Sequence, residues 1–320
     1  MGWIIGIDEA GYGPNLGPLV MTSVACRVPE PLLGADLWRV LRRAVRRNAG
    51  DDDGRLLIAD SKVVYSPARG LAPLETGVLA ALRPGPNGAP VPLSQFLDRV
   101  APASPADLAS ERWYSGQSLL PVAAGADGCH AAAERLEKVC RKHDVAWAVV
   151  RSVVICPARF NALLDRWGSK GAVLGHGLAE LIRCNREAAG GEPLHFFVDK
   201  HGGRNTYAPM LQESFPDGMV VAKEECAARS AYTVLGEGQE VRLTFEPRAD
   251  AGHFCVALAS MVSKYLREVL MREFNGFWRQ QVPGLKPTAG YPGDAARFFE
   301  AIRPCCERLG LPEAAVWRRK

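Results

Sequence analysis

The stretch WIIGIDEAGYGPNLGPLV, Trp3 to Val20, constrains the fold of this chain more than any other. An apolar run ends in two carboxylates, Asp8 and Glu9. Gly11, Gly13 and Gly17 follow, interrupted by Pro14 and Pro18, and a second apolar run continues to Arg27. Two apolar runs joined by a Gly- and Pro-rich turn predict strands over residues 2 to 8 and 18 to 27, a hairpin opening a sheet. The glycine spacing is that of a loose dinucleotide fingerprint, but the acids precede the loop and would repel a pyrophosphate. Pro14 and Pro18 also spoil the helix such a site needs. The other reading is a divalent-metal site, in which carboxylates hold a hard cation and the cation holds a phosphate.

The remaining pattern is strands interleaved with helices. Helical spacing predicts a helix over Leu37 to Arg47, and LLIADSK, Leu56 to Lys62, is a short apolar run ending in Asp-Ser-Lys. From Ser66 to Gly128 the chain is rich in Pro, Gly and Ala, which predicts loops with a few short elements rather than a second full domain. Thereafter HAAAERLEKVCRKHD reads as a helix and WAVVRSVVIC as a strand. FNALLDRWGSKGAVLGHGLAELIRCNREA reads as helical pieces broken near Gly168 and Gly175. LHFFVDKHGG is a buried strand ending in an acid and glycines, MVVAKEE and VRLTFEP are further strands, and Phe254 to Trp278 is a long helix. Strands followed by alternating strands and helices predict an α/β fold with a mixed sheet.

Composition bounds the function classes. With 320 residues and 48% hydrophobic content the chain can bury one large core or two modest ones. A net charge of +4 permits a polyanionic partner without demanding one. Positive charge gathers toward the C-terminus: Ser260 to Lys320 holds 11 Lys and Arg against 6 Asp and Glu. The plain reading of that surplus is a solvated helix face followed by a basic tail, Arg318, Arg319 and Lys320. Nine cysteines, odd in number and without a C-x-x-C pair, do not resemble a zinc ribbon or a disulfide framework, and a reduced compartment fits them best. With no signal-peptide pattern and no apolar run near 18 residues, the expected location is the cytoplasm.

Three places share one grammar, an apolar strand or loop followed by an acid and small residues: Asp8 with Glu9, Asp199, and Asp250. Singly, each has an ordinary explanation as a turn or helix cap. Jointly, carboxylates converging from separate segments would raise one another's pKa values unless cations lay between them. Two Mg²⁺ or Mn²⁺ ions roughly 3.5 to 4 Å apart would resolve that repulsion and suit in-line displacement at phosphorus.

GIDEAGYGPNLGPLV resembles the N-terminal signature of ribonuclease HII, usually written D-E-A-G-R-G followed by G-P. IADSKVVY matches that family's Asp-Ser-Lys segment, and FFVDKHGG sits where its third acid follows a strand. RADAGHFCVALASMVSKYLRE matches its A-D followed by A-S-x-x-x-K, and PTAGYPGDAARFFEAI is similar to its late G-Y element. The match spans most of residues 2 to 65 and 145 to 300, with the motifs in order. The resemblance implies a single α/β domain over residues 1 to 320. Its core would be a ribonuclease H-like mixed sheet flanked by helices, with a C-terminal helical region and an inserted segment over 66 to 145. It implies a monomeric endonuclease cleaving RNA paired with DNA, including ribonucleotides embedded in duplex DNA. Asp8, Glu9, Asp199 and Asp250 would be the catalytic carboxylates holding two Mg²⁺ or Mn²⁺ ions. The backbone of Gly11, Tyr12 and Gly13 would read the ribose 2′-OH, and Tyr291 would pack on the neighbouring deoxyribose. Lys62 and Lys264 are candidates for phosphate contacts or for buttressing the acids.

The chain departs from that pattern at Tyr12, where the family carries Arg, and around Gly290 and Tyr291, where the flanking Lys, Thr and His are missing. A rival reading is therefore a non-catalytic protein of the same fold that binds hybrids or branched nucleic acid. Metal-dependent cleavage separates the two. A DNA nuclease would ignore the 2′-OH, and an unrelated metal phosphatase would turn over small phosphomonoesters.

Overall fold

The computed structural model describes residues 1–50, 53–83, 85 and 88–319. Lys320 of the expected tail, and residues 84, 86 and 87 of the Pro-rich segment, lie outside the described residues. Seven strands form one sheet: β1 (Gly2–Ala10), β2 (Leu19–Val28), β3 (Ala146–Ile155), β4 (Leu194–Asp199), β5 (Met219–Glu225), β6 (Ser230–Leu235) and β7 (Val241–Glu246). Their order is β3-β2-β1-β4-β7-β6-β5. The expected hairpin is present, with Ile5 opposite Ala25 in an antiparallel pair. At the centre β1, β4 and β7 run parallel, with Ile7 beside Val198 and Phe245 beside Val198 on its other flank. The sheet is thus mixed, as expected. Parallel strands aim their carboxyl ends at one edge, where α/β sheets present functional groups.

Helices cover both faces. On one lie α1 (Ser61–Val64), α2 (Ala72–Leu82) and α3 (Ala126–Lys142). The other face is covered by α4 (Pro157–Trp167) and α5 (Lys170–Ala189). A one-turn α6 (Ala249–Gly252) leads into α7 (Phe254–Gln281), and α8 (Pro292–Arg308) packs near its end. Helix α7 is apolar on almost every side because it lies between the sheet and α2, where Ala257, Met261, Tyr265 and Leu266 are all buried. It crosses β1 at Gly6, where a Cβ would fall on the backbone of Cys255 and Val256. Two apolar cores, one on each face of the sheet, carry the packing, with a third between α7 and α8.

Three local expectations are corrected. The helix over residues 37 to 47 ends at Val40, because Val45–Arg46 instead pairs with Leu56–Leu57. Helix α5 runs through Gly175, where the missing Cβ makes room for Met210; the break is at Gly168 alone, which closes α4 with φ 75°. The Pro- and Ala-rich segment holds the 11-residue α2 and a helix at Leu93–Val100, whose Leu74, Val78, Phe96 and Leu97 join the core. Pro and Ala signalled loops there, but sequence-distant apolar partners on α7 make helices of it. The strand β6 had no clear signal. Among the described residues no helix is long and apolar enough to cross a membrane.

Candidate active site

The site grows from the parallel register. Asp8 and Asp199 each stand one residue beyond the paired Ile7 and Val198, so both carboxylates leave the same edge of the sheet. Asp250 sits in α6, immediately after β7, the third parallel strand. An Oδ1 of Asp199 accepts the backbone N–H of Ala249 at 2.8 Å, which ties the strand end to that turn. Glu9 follows Asp8, whose Oδ1 accepts the Glu9 N–H at 2.7 Å.

Two serines join the motifs from behind. Ser260 of α7 donates to Ser61 at 3.0 Å, bringing the Asp-Ser-Lys segment against the Ala-Ser segment. Ser263 bonds the carbonyl of Asp8 at 3.1 Å and Thr22 at 2.8 Å, and Thr22 bonds Ser152 at 2.8 Å, a buried chain of hydroxyls under the acid. A fully satisfied buried network of this kind holds its members rigidly.

The electrostatics record the convergence. Burial, then the charges of Glu9 and Asp199, holds the Asp8 carboxyl well above the usual range. Burial, then Asp199, pushes Glu9 up to about 7. Asp199 is raised chiefly by burial. Asp250 is pushed up to about 6 by burial and next by Asp60, a fifth carboxylate that sequence reasoning left unassigned although it opens the Asp-Ser-Lys segment. Asp60 caps α1 by accepting the Lys62 N–H at 2.8 Å. Lys62 is exposed, and its charge acts on Glu9 and Asp199.

The donor set is all hard oxygen, which suits Mg²⁺ or Mn²⁺. Among the described residues, however, no three acid, His or Cys side chains are already grouped to hold one ion. Carboxylate oxygens of Asp8 and Asp199 are engaged by backbone N–H groups, so their free oxygens would have to turn inward together.

Beside the acids lies the glycine loop. Gly11 has φ 91°, a left-handed conformation that a side chain would strain. Gly13 is exposed, and a Cβ there would stand 3.8 Å from the Tyr291 ring, itself 53% exposed. The loop is tied to the Gly290 turn by the Asn15 N–H, which donates to the Gly290 carbonyl at 2.8 Å. Tyr12 packs its ring against the core of the second face, with the Lys170 ammonium 6.0 Å from its centroid. Thus Gly11, Tyr12, Gly13 and Tyr291 are brought together. Lys264 is turned elsewhere, to Glu268 at 2.6 Å and over the Tyr65 ring at 4.7 Å. Lys200, next to Asp199, is buried and donates to Asn205 at 2.9 Å, away from the acids.

Two arginines support this loop from beneath. Arg318 is fully buried, donating to the carbonyls of Gly11 and Pro14. Arg267 is also buried and donates to Ala289 at 2.8 Å and Leu16 at 3.4 Å. The expected solvated tail is corrected here: Arg318 is drawn inside because the loop's inward carbonyls need donors.

No family model matches the chain, and no curated protein does. Its structure is similar to those of several ribonucleases H of types 2 and 3. Against RNase HII of Archaeoglobus fulgidus, solved in a complex with PCNA, the identity is 18% and the TM-score 0.46, over 99% of this chain and 94% of that one. Against ribonuclease H2 of Pyrococcus horikoshii the values are 15% and 0.43, over 98% and 92%. Against Bst-RNase HIII in complex with Mn²⁺ they are 15% and 0.42, over 99% and 65%.

Proposed function

We propose that the chain is a divalent-cation-dependent nuclease that cleaves RNA paired with DNA, including ribonucleotides embedded in duplex DNA. The observation that carries this reading is the convergence of Asp8, Glu9, Asp199 and Asp250, from separate segments, beside an open glycine loop. Repelling buried carboxylates have a chemical use when cations sit among them. Those four residues would hold Mg²⁺ or Mn²⁺, with Asp60 next to Asp250. Bound ions would supply activation of water and charge neutralisation at a scissile phosphodiester. The chain's own part is positioning. The backbone of Gly11 to Gly13 would approach the ribose 2′-OH at a place where Gly13 has no side chain to block it. The exposed Tyr291 ring would pack on the neighbouring sugar, and Lys62 would meet a phosphate.

One observation favours a second reading, a hybrid-binding protein that does not cleave. The carboxylates are not already grouped around an ion position among the described residues. The deciding experiment is cleavage of a labelled DNA duplex containing one ribonucleotide, beside an all-DNA duplex and a long hybrid, with Mg²⁺, with Mn²⁺ and with chelator. Cation-dependent nicking at the ribonucleotide is the expected result. Binding without nicking by the folded protein would give the second reading, and nicking of all-DNA duplex would remove the 2′-OH from the account.

A further inference from the structure

A cavity of about 420 Å³ opens between α5 and the helix Ala208–Ser214, outside the carboxylate cluster. Its lining includes Trp167, Ala172, Gly175, Ala179, Arg204 and Met210. Trp167 is a large aromatic left 45% exposed, with the Arg166 guanidinium 4.9 Å from its ring centroid.

Two cations lie between the cavity and the glycine loop. Lys170 lies near both the Tyr12 ring, at 6.0 Å, and the Phe160 ring, at 5.9 Å. Arg204 lies against the start of α5, where a Cβ on Gly171 would stand 3.2 Å from its Nη2. Arg204 itself lines the cavity. From the glycine loop outward, the path runs from Tyr12 over Lys170 to Arg204 and Trp167. Cations Arg166, Lys170 and Arg204 flank this path, and Glu213 is the acid in the cavity lining.

We infer that this groove receives an unpaired nucleic-acid strand continuing from the duplex at the carboxylate cluster. Its phosphates would lie along Lys170 and Arg204, and a base would stack on Trp167. The inference rests on the nuclease or hybrid-binding reading of the neighbouring site and adds a substrate preference to it. The groove's volume suits a nucleotide or two and not a duplex, and the positive flank complements a phosphate backbone. An aromatic face flanked by cations is the common means of holding single strands without sequence preference.

The test is equilibrium binding in chelator, so that cleavage plays no part. The probes are a labelled blunt RNA/DNA hybrid and the same hybrid carrying a short single-stranded extension at either end of its RNA strand. Wild-type protein is expected to bind one extended form about fivefold or more tightly than the blunt form, the scale of one base–aromatic stack. Trp167→Ala should erase that gain and leave blunt-hybrid affinity unchanged, while Arg204→Gln should flatten the salt dependence of the extended form alone. An equal loss on both probes, or a gain that survives Trp167→Ala, overturns the inference. So does wild-type protein with no preference for an extension, in which case the hybrid-binding reading itself stands. Failure of wild-type protein to bind any hybrid removes both.

Discussion

The guanidinium of Arg318 donates from Nη2 to the carbonyl of Gly11 at 2.6 Å across 307 positions of sequence, and also reaches the carbonyl of Pro14. A residue from the far end of the chain thus holds the glycine loop from below. Burial lowers the Arg318 pKa to about 9, still high enough for it to be charged near neutral pH. Among the described residues its Nε and Nη1 and the Arg267 Nε have no hydrogen-bond partner.

Arg318→Ala would leave two loop carbonyls without their donor and open a void. The expected loss is ~2–4 kcal/mol of unfolding free energy, read from urea denaturation. A loss under ~0.5 kcal/mol would mean that the guanidinium does not hold the loop.

Gly6→Ala places a methyl on the backbone of α7, where neither strand nor helix can yield without moving the sheet. A destabilisation of ~3 kcal/mol or more is expected, at the upper end for overpacking. A thermal melt unchanged from wild type would contradict the close crossing.

The raised carboxylates fix a pH dependence. The folded-state pKa of Glu9, about 7, lies above its ordinary 4.5, so the fold penalises the ionised form. Its contribution is most favourable below the ordinary value and is lost as pH rises through about 7. In chelator, Glu9→Gln should therefore stabilise the protein at pH ~8 by on the order of 1–3 kcal/mol and much less at pH ~5. Addition of Mn²⁺ at the higher pH should raise the wild-type melting temperature more than that of the variant. Equal melting shifts at both pH values, or a variant that gains nothing at high pH, would remove the repulsion from the account.

Asp60 is the leading charged cause of the raised Asp250 carboxyl, after burial. Asp60→Asn keeps a cap for α1 and removes the charge. The Asp250 carboxyl should then titrate at lower pH by NMR. No displacement would show that Asp60 faces elsewhere.

Asp250→Asn should lower cation-dependent cleavage by at least ~100-fold while hybrid affinity in chelator holds. Full activity in this variant would sink the assignment of the four acids.

What the sequence determined by itself is whatever depends on neighbours in the chain. Alternating apolar runs and the Gly-Pro turn made β1 and β2 legible, and short motifs singled out Asp8, Glu9, Asp199, Asp250, Gly11, Gly13 and Tyr291 as candidates. Tertiary structure decided what depends on partners far away. The sequence of Asp-Ser-Lys holds nothing to say that Asp60 turns toward Asp250; the Ser61–Ser260 contact and the packing of α1 on α7 do that. Arg318 looked like a solvated tail residue because a basic terminus usually is one, and only the carbonyls of a loop hundreds of residues away draw it inside. Likewise Trp167 reads as one more helix residue until the fold sets Arg204 and the glycine-lined face of α5 around it. Local propensity acts over a few residues, whereas burial, charge and hydrogen-bond demand are set by whatever the folded chain brings within a few ångströms.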